Sequence, residues 1–262
     1  MSKKKLSNVF SVLICLMLIT NILTIKVNAQ TENVQLYCAQ MDTVYGDYGR
    51  IKAYSTSGYI HINNMSSAKN VYVHYTYNGT DWLDAPASYL KTLEDGSEVW
   101  SYNTPKMTYE PAHQYNYYCQ FAIRYEVGGN TYWDNNGGND YYLRRSSVYP
   151  EYPYVLSKSY VKVTDSMRTE DGLYVYAKLQ DLAYNKTVKL RFTTDNWQSY
   201  HEVDGTYTSS YGNGRESWFF DTKKCGVTLS PLDTGEYVVS YTVNGVTYWD
   251  NNFGSNYTFE SK

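Results

Sequence analysis

The chain has 262 residues, 42% of them hydrophobic and 19% charged, a composition that folds and excludes intrinsic disorder. Its 17 Gly, 6 Pro and mean hydropathy of −0.56 exclude collagen-like and polytopic membrane proteins. Aromatic residues make up 17%, most of them among the 32 Tyr, and the formal net charge is −3; Tyr joins a large apolar face to a hydroxyl that tolerates water, which suits an exposed binding surface.

At the N-terminus Lys3, Lys4 and Lys5 precede an uncharged apolar run over residues 6–25, followed by Val27, Asn28 and Ala29. This pattern reads as a secretory signal peptide over residues 1–29, with the short side chains of Val27 and Ala29 before the cleavage point. The alternative is an uncleaved membrane anchor, since the run is long enough to span a bilayer. Cleavage removes four Lys and no acid and takes the net charge from −3 to −7. No basic run longer than Arg144-Arg145 remains, so nucleic acid is not an expected partner. Cys38, Cys119 and Cys225 then remain, an odd number without metal-like spacing. Cys38 and Cys119 lie in one half of the chain, and the sequence leaves a disulfide and two buried thiols equally open.

A duplication organises the rest. TYWDNNGGNDYY at residues 131–142 returns as TYWDNNFGSNY at residues 247–257, an offset of 116. VYVHYTYNGTDW ending at Trp82 matches VKLRFTTDNW ending at Trp197, and EVWSY around Trp100 matches ESWFF around Trp218. All six Trp pair off, three per copy, in the same order. Copy one is placed at residues 37–143 and copy two at residues 154–260, joined by a short connector, residues 144–153, stiffened by Pro150 and Pro153.

Both copies read as β. In chain order, Val71, Val73 and Tyr75 alternate with polar positions; Leu173, Val175, Ala177 and Leu179 alternate with Tyr174, Tyr176 and Lys178; and Val188, Leu190 and Phe192 alternate with Lys189, Arg191 and Thr193. Asn244-Gly245 between Val243 and Val246 predicts a two-residue hairpin turn, and Gly128-Gly129 does the same in copy one. With no helical period outside the N-terminal run, the expected fold is all-β, two tandem antiparallel β-sandwiches, with the strand order undetermined. Of the neighbours Tyr132 and Trp133, or Tyr248 and Trp249, only one of each pair faces the core; the Trp is expected outside.

The V-x-V/L-x-Y/F-T strand, the D-W or D-N-W that follows it, the aromatic cluster and the terminal YWDNNxGxNY together resemble the family 21 carbohydrate-binding modules, across most of both copies. The resemblance implies an immunoglobulin-like sandwich and an α-glucan ligand: starch, glycogen or maltooligosaccharides. Carried over position by position, it implies sugar contacts at Trp249, Asn251, Asn252 and Asn256 in copy two and at Trp133, Asn135 and Asn136 in copy one, with Trp197 and Trp82 as the loop Trp of each copy. DLAYNK resembles the family's N-x-x-Y-x-K element, which adds Asp181, Tyr184 and Lys186; in copy one NMSSAK keeps Asn64 and Lys69 but has Ser67 in place of the Tyr. Asp140 replaces the final Asn of the motif in copy one, so copy two is the better candidate.

The chemistry stands without the family. A pyranose presents C–H patches on its faces and hydroxyls around its edge, so flat aromatic rings flanked by amides match it, and no cofactor, metal or nucleophile is needed. Against this, D-N-N can be a turn whose side chains cap backbone amides. Trp100 and Trp218 are expected to pack, and Tyr141 and Tyr257 to be core or edge residues. Only His61, His74, His113 and His201 are available, and neither G-x-S-x-G nor H-E-x-x-H occurs, so no enzyme and no catalytic residues are expected. The resembled family also occurs in glycogen-targeting subunits of protein phosphatase 1, which carry a basic-Val-x-Phe docking motif. The nearest string here, Lys189-Leu190-Arg191-Phe192, lies inside a predicted strand, with Leu in place of Val and behind a secretion signal, so no phosphatase partner is expected. The expected function is a secreted, non-catalytic α-glucan-binding protein, serving a separately secreted amylase; the alternative is an extracellular adhesion or protein-interaction sandwich without glucan binding.

Overall fold

The computed structural model describes residues 32–109 and 116–262. The expected signal peptide and His113 lie outside the described residues. The first copy contributes β1 (Val34–Tyr45), β2 (Ile51–Ile62), β3 (Lys69–Thr76), β4 (Leu83–Pro86), β5 (Ser88–Thr92), β6 (Glu98–Asn103), β7 (Met107–Thr108), β8 (Asn116–Val127), β9 (Asn130–Asp134) and β10 (Tyr141–Ser146). After β11 (Tyr154–Leu156), the second contributes β12 (Val161–Arg168), β13 (Leu173–Gln180), β14 (Lys186–Thr193), β15 (His201–Asp204), β16 (Thr206–Tyr211), β17 (Arg215–Asp221), β18 (Gly235–Val243), β19 (Val246–Asp250) and β20 (Tyr257–Phe259).

All pairings are antiparallel, and the strand order that the sequence left open is the same in both copies. One sheet runs β1-β2-β6-β5 in copy one and β12-β13-β17-β16 in copy two; the facing sheet runs β10-β8-β3-β4, with β9 also on β8, and β15-β14-β18-β19, with β20 also on β18. The predicted alternation holds: Leu173, Val175, Ala177 and Leu179 are buried, as are Val188, Leu190 and Phe192, and these rows meet in the second core. Asn244 and Gly245 both have positive φ, 52° and 76°, as a type I′ turn requires.

Tyr154–Leu156, the strand that opens the expected second copy, hydrogen-bonds to β1 of the first. The connector before it is pinned as well, because Arg144 and Tyr152 exchange backbone hydrogen bonds and Met41 N–H donates to the Pro153 carbonyl. Copy two then holds the end of β11: Gln180 Nε2 donates to the carbonyls of Ser157 and Ser159 (3.1 and 2.8 Å), Arg215 to that of Leu156 (2.6 Å) and Asn213 to that of Tyr154 (2.7 Å). Phe253 packs edge-on against Tyr37 and Tyr59 of copy one, 4.8 and 5.1 Å between ring centroids.

The outer faces of the first sheets are therefore not uniformly wet. Lys178, an outward position in β13, is only 6% exposed because Tyr154 covers it at 4.6 Å from the ring centroid. Lys162 lies among the rings of Tyr59, Phe253 and Tyr257. Cys38 faces this junction, lining a cavity of about 220 Å³ with Tyr102 and Lys162, whereas Cys119 sits in the core of copy one. Cys38, Cys119 and Cys225 are free thiols. Burial pushes both Cys38 and Cys119 up to about 12, so neither is a reactive thiolate at neutral pH.

Candidate functional site

The period-two rule places the motif as expected. Trp133 and Trp249 are 48% and 42% exposed, while Tyr132 and Tyr248 pack against the two cores. The next residue, Asp134 or Asp250, turns inward and pins the site loop to the opposite sheet. Asp134 accepts from Leu36 N–H (2.6 Å) and Tyr141 O–H (2.8 Å); Asp250 accepts from Val163 N–H (2.6 Å) and Tyr257 O–H (2.8 Å).

The Asn residues that follow build the loop. Asn135 and Asn251 accept from the N–H of Gly138 and Gly254 (3.0 and 2.9 Å), and Asn136 and Asn252 donate to the carbonyls of Asp140 and Asn256 (both 3.0 Å). Asn136 and Asn252 have positive φ, which Asn tolerates better than most side chains. The amide capping weighed in the sequence is thus present at these four positions, and it shapes a rim beside each exposed Trp.

In copy two the rim carries a polar centre that the sequence reading missed. The Glu236 carboxylate accepts from both the Trp197 indole N–H and Asn256 Nδ2 (2.8 Å to the latter). The Asn256 amide and the Trp197 indole hold the Glu236 carboxyl below its usual range. Trp197 is carried on a turn with positive φ at Asn196 and Trp197, closed by Thr193 and by Asp195, whose carboxylate is held near 2 by hydrogen bonds from Ser199 and Thr193. Beside it, the Arg191 guanidinium lies between Tyr200 and Trp249, 4.2 and 5.0 Å from their ring centroids, and pairs with Glu202 at 2.8 Å.

Copy one keeps this layout with exchanged chemistry. His74 occupies the place of Arg191, stacked on Trp82 (4.8 Å, 14°) and edge-on to Trp133 (5.6 Å). Trp82 thereby covers His74 as Tyr200 covers Arg191. Gln120 Nε2 donates to Asp140 at 2.8 Å, the reverse of Asn256 donating to Glu236: amide and carboxylate have traded strands. The departure at Asp140 is thus compensated across β8 and β10. Asn256→Asp alone, which sets two carboxylates together, is expected to destabilise copy two by about 1 kcal/mol and to weaken binding there. Adding Glu236→Gln restores the copy-one pairing and should recover most of the loss; a double-mutant cycle with no coupling refutes the exchange.

A second groove lies on the other edge. In copy two, Lys186 contacts Asp181 (2.5 Å) and Glu216 (2.9 Å), and the Trp218 indole N–H donates to Glu216 (3.0 Å). These residues, with Tyr207 and the 96% exposed Tyr184, line a groove of about 760 Å³. Trp218 also packs on the core, so its structural role and a place in the groove coincide. Copy one repeats the network with Lys69, Asn64, Glu98, Trp100 and Tyr89, and with Ser67 where Tyr184 stands.

Glu236, Arg191, Tyr200, Tyr207 and Glu216 were legible only as strand or turn positions, since no local motif marks them. Among the described residues no group of three or more His, Cys, Asp or Glu is placed to hold a metal, and no helix is long and apolar enough to cross a membrane.

The model of the carbohydrate/starch-binding module (family 21) matches residues 28–144 and 156–260. Protein phosphatase 1 regulatory subunit 3B of Homo sapiens is 32% identical over 114 residues, 43% of this chain and 40% of that protein; subunit 3C of Bos taurus is 37% identical over 84 residues, 30% of this chain and 26% of that protein. The match thus spans well under half the length of these relatives. Among solved structures, the starch-binding domain of Rhizopus oryzae glucoamylase, in complex with β-cyclodextrin and maltoheptaose, aligns at 26% identity and TM-score 0.30 over 43% of this chain and 92% of that one. The carbohydrate-binding module of the muscle glycogen-targeting subunit of protein phosphatase-1 aligns at 19% identity and TM-score 0.34 over 40% and 77%. With both halves matched and each carrying an exposed Trp beside an amide-built rim, the chain belongs to the carbohydrate/starch-binding modules of family 21.

Proposed function

We propose that the protein is a secreted, non-catalytic binder of α-glucan, starch or glycogen, acting through both modules. The observation that carries this reading is the copy-two platform: Trp249 exposed at 42%, with Trp197 and Asn256 held by one carboxylate, Glu236. The Trp face takes the C–H patch of a glucose ring, while the amide, the guanidinium and the carboxylate at its edge answer the hydroxyls. The sequence features at residues 1–29 support secretion, and N-terminal sequencing of the exported protein should then begin at Gln30. A role without phosphatase is supported by Leu190 and Phe192 of the Lys189–Phe192 string, both fully buried within β14.

The test is affinity electrophoresis of residues 30–262 in gels with and without amylopectin, alongside cellulose and xylan pull-downs. Retardation by amylopectin alone is expected, and Trp197→Ala with Trp249→Ala should raise the apparent Kd at least about tenfold, the loss of one well-packed aromatic contact or more. Unchanged mobility in every gel refutes the glucan reading. A separately secreted amylase is the enzyme such a binder would serve, and release of reducing sugar by the purified protein alone would count against the non-catalytic reading.

A further inference from the structure

Copy one has a surface feature that copy two lacks. Strand alternation puts Arg124, Ala122, Gln120 and Tyr118 on the outer face of β8, with Trp133 opposite Arg124, Tyr142 opposite Gln120 and Arg144 opposite Tyr118. This row starts at the Trp133 platform, passes the Gln120–Asp140 pair and ends on Tyr142 stacked against Tyr118 (5.4 Å, 21°), about 14 and 20 Å along the strand at 3.4 Å per residue. In copy two Thr258 lies opposite Glu236, where copy one has Tyr142 opposite Gln120, and β18 begins at Gly235.

The row runs into copy two. Asn136 and Asp140 of the copy-one rim, Tyr142 and Tyr152, and Asn213 and Arg215 of copy two line one groove of about 510 Å³, a volume in the range of ligand sites. The turn of copy two is fitted to it: a Cβ on Gly212 would lie 2.9 Å from the Tyr152 ring. Beneath it Arg215 Nε and Asn213 Oδ1 are buried without partners, while the two side chains donate to the carbonyls of Leu156 and Tyr154. Aromatic rings, a carboxylate, an amide and a guanidinium in an open groove continuous with a sugar platform are the chemistry of further sugar subsites.

We propose that the copy-one platform extends along β8 and β10 into this inter-module groove, forming a track for a linear α-glucan chain longer than the platform alone accommodates. The inference rests on the reading that copy one binds α-glucan. It makes copy one the long-chain site and copy two the local one.

Calorimetric titration of the full chain carrying Trp197→Ala, Trp249→Ala and Tyr184→Ala, which silence copy two, compares maltotriose with maltoheptaose. Maltoheptaose should bind about tenfold tighter or more, and Tyr142→Ala should remove that advantage while leaving maltotriose binding unchanged. A length advantage that survives Tyr142→Ala overturns the track and leaves copy-one glucan binding standing; no binding of either sugar overturns the track together with copy-one binding. Hydrogen exchange on the unmutated chain keeps the result independent of the variant. Maltoheptaose but not maltotriose should protect the amides of residues 142–144 and 212–215, and equal protection by both, or none, overturns the proposal.

Discussion

Asp250→Ala is expected to lower the unfolding free energy by about 3–5 kcal/mol, the usual cost of removing one partner of a buried ion pair. Asp250 is 2% exposed and accepts from Val163 N–H (2.6 Å), Tyr257 O–H (2.8 Å) and Asn252 N–H (3.3 Å). It also lies 3.6 Å from Lys162, itself 7% exposed and ringed by three aromatic side chains at the junction. Burial and then the Asp250 charge push the Tyr257 hydroxyl far above its ordinary range, so it stays a donor to the carboxylate. Removing the carboxylate leaves the buried Lys162 ammonium with the Tyr257 hydroxyl as its remaining partner and frees the loop that carries Asn251 to Asn256. Urea unfolding checks the cost, and amylopectin retention checks the loss of the copy-two platform. Asp134, which has the same hydrogen bonds but no lysine partner, provides the internal control: Asp134→Ala should cost about 1–3 kcal/mol, the desolvation of the donors it leaves. Equal costs for the two variants would refute the part given to Lys162.

Lys186→Met is expected to cost a similar 3–5 kcal/mol and to abolish the second groove of copy two. The Lys186 side chain is 5% exposed, and its loss leaves the Glu216 carboxylate, 11% exposed, with the Trp218 indole alone. Burial lowers the Lys186 pKa, but the Asp181 and Glu216 hydrogen bonds outweigh it and hold the ammonium above its ordinary value of 10.5. A group whose pKa is raised on folding stabilises fully below its unfolded pKa, so this contribution is constant through neutrality and is lost only as the pH rises through the folded value. Thermal melts from pH 6 to 9 should therefore show a fixed gap between Lys186→Met and the parent. Tyr184→Ala, at a 96% exposed position, should leave the melt unchanged and weaken glucan binding at this groove. If Tyr184→Ala binds as the parent does, the groove is a structural network and not a site.

The docking of the two modules changes how their affinities combine. A flexible tether would raise retention about 10²-fold to 10⁴-fold through effective concentration. Here Phe253 on Tyr37 and Tyr59, Lys91 on Ser255 (2.8 Å) and β11 on β1 hold the copies together, and residues Glu32–Lys262 form one compact unit. The gain is then set by whether the fixed spacing of the sites matches the spacing of glucan chains.

The sequence by itself determined what depends on neighbours along the chain. The duplication, the alternation of Leu173 to Leu179, the turn at Asn244-Gly245 and the outward Trp249 beside an inward Tyr248 all follow from period two and turn chemistry. Strand order did not, because alternation says which face is buried and not which edges meet. For the same reason Glu236 and Glu216 were silent: they reach Trp197 and Lys186 across strands 39 and 30 positions apart. Cys38 and Cys119 share a half of the sequence, yet one lines the junction and the other the core, since they stand in different sheets. Lys178 read as a solvent position until the connector covers it, and Lys162 is likewise covered at the junction. Those contacts join residues far apart along the chain, and only the tertiary structure decides which of them meet.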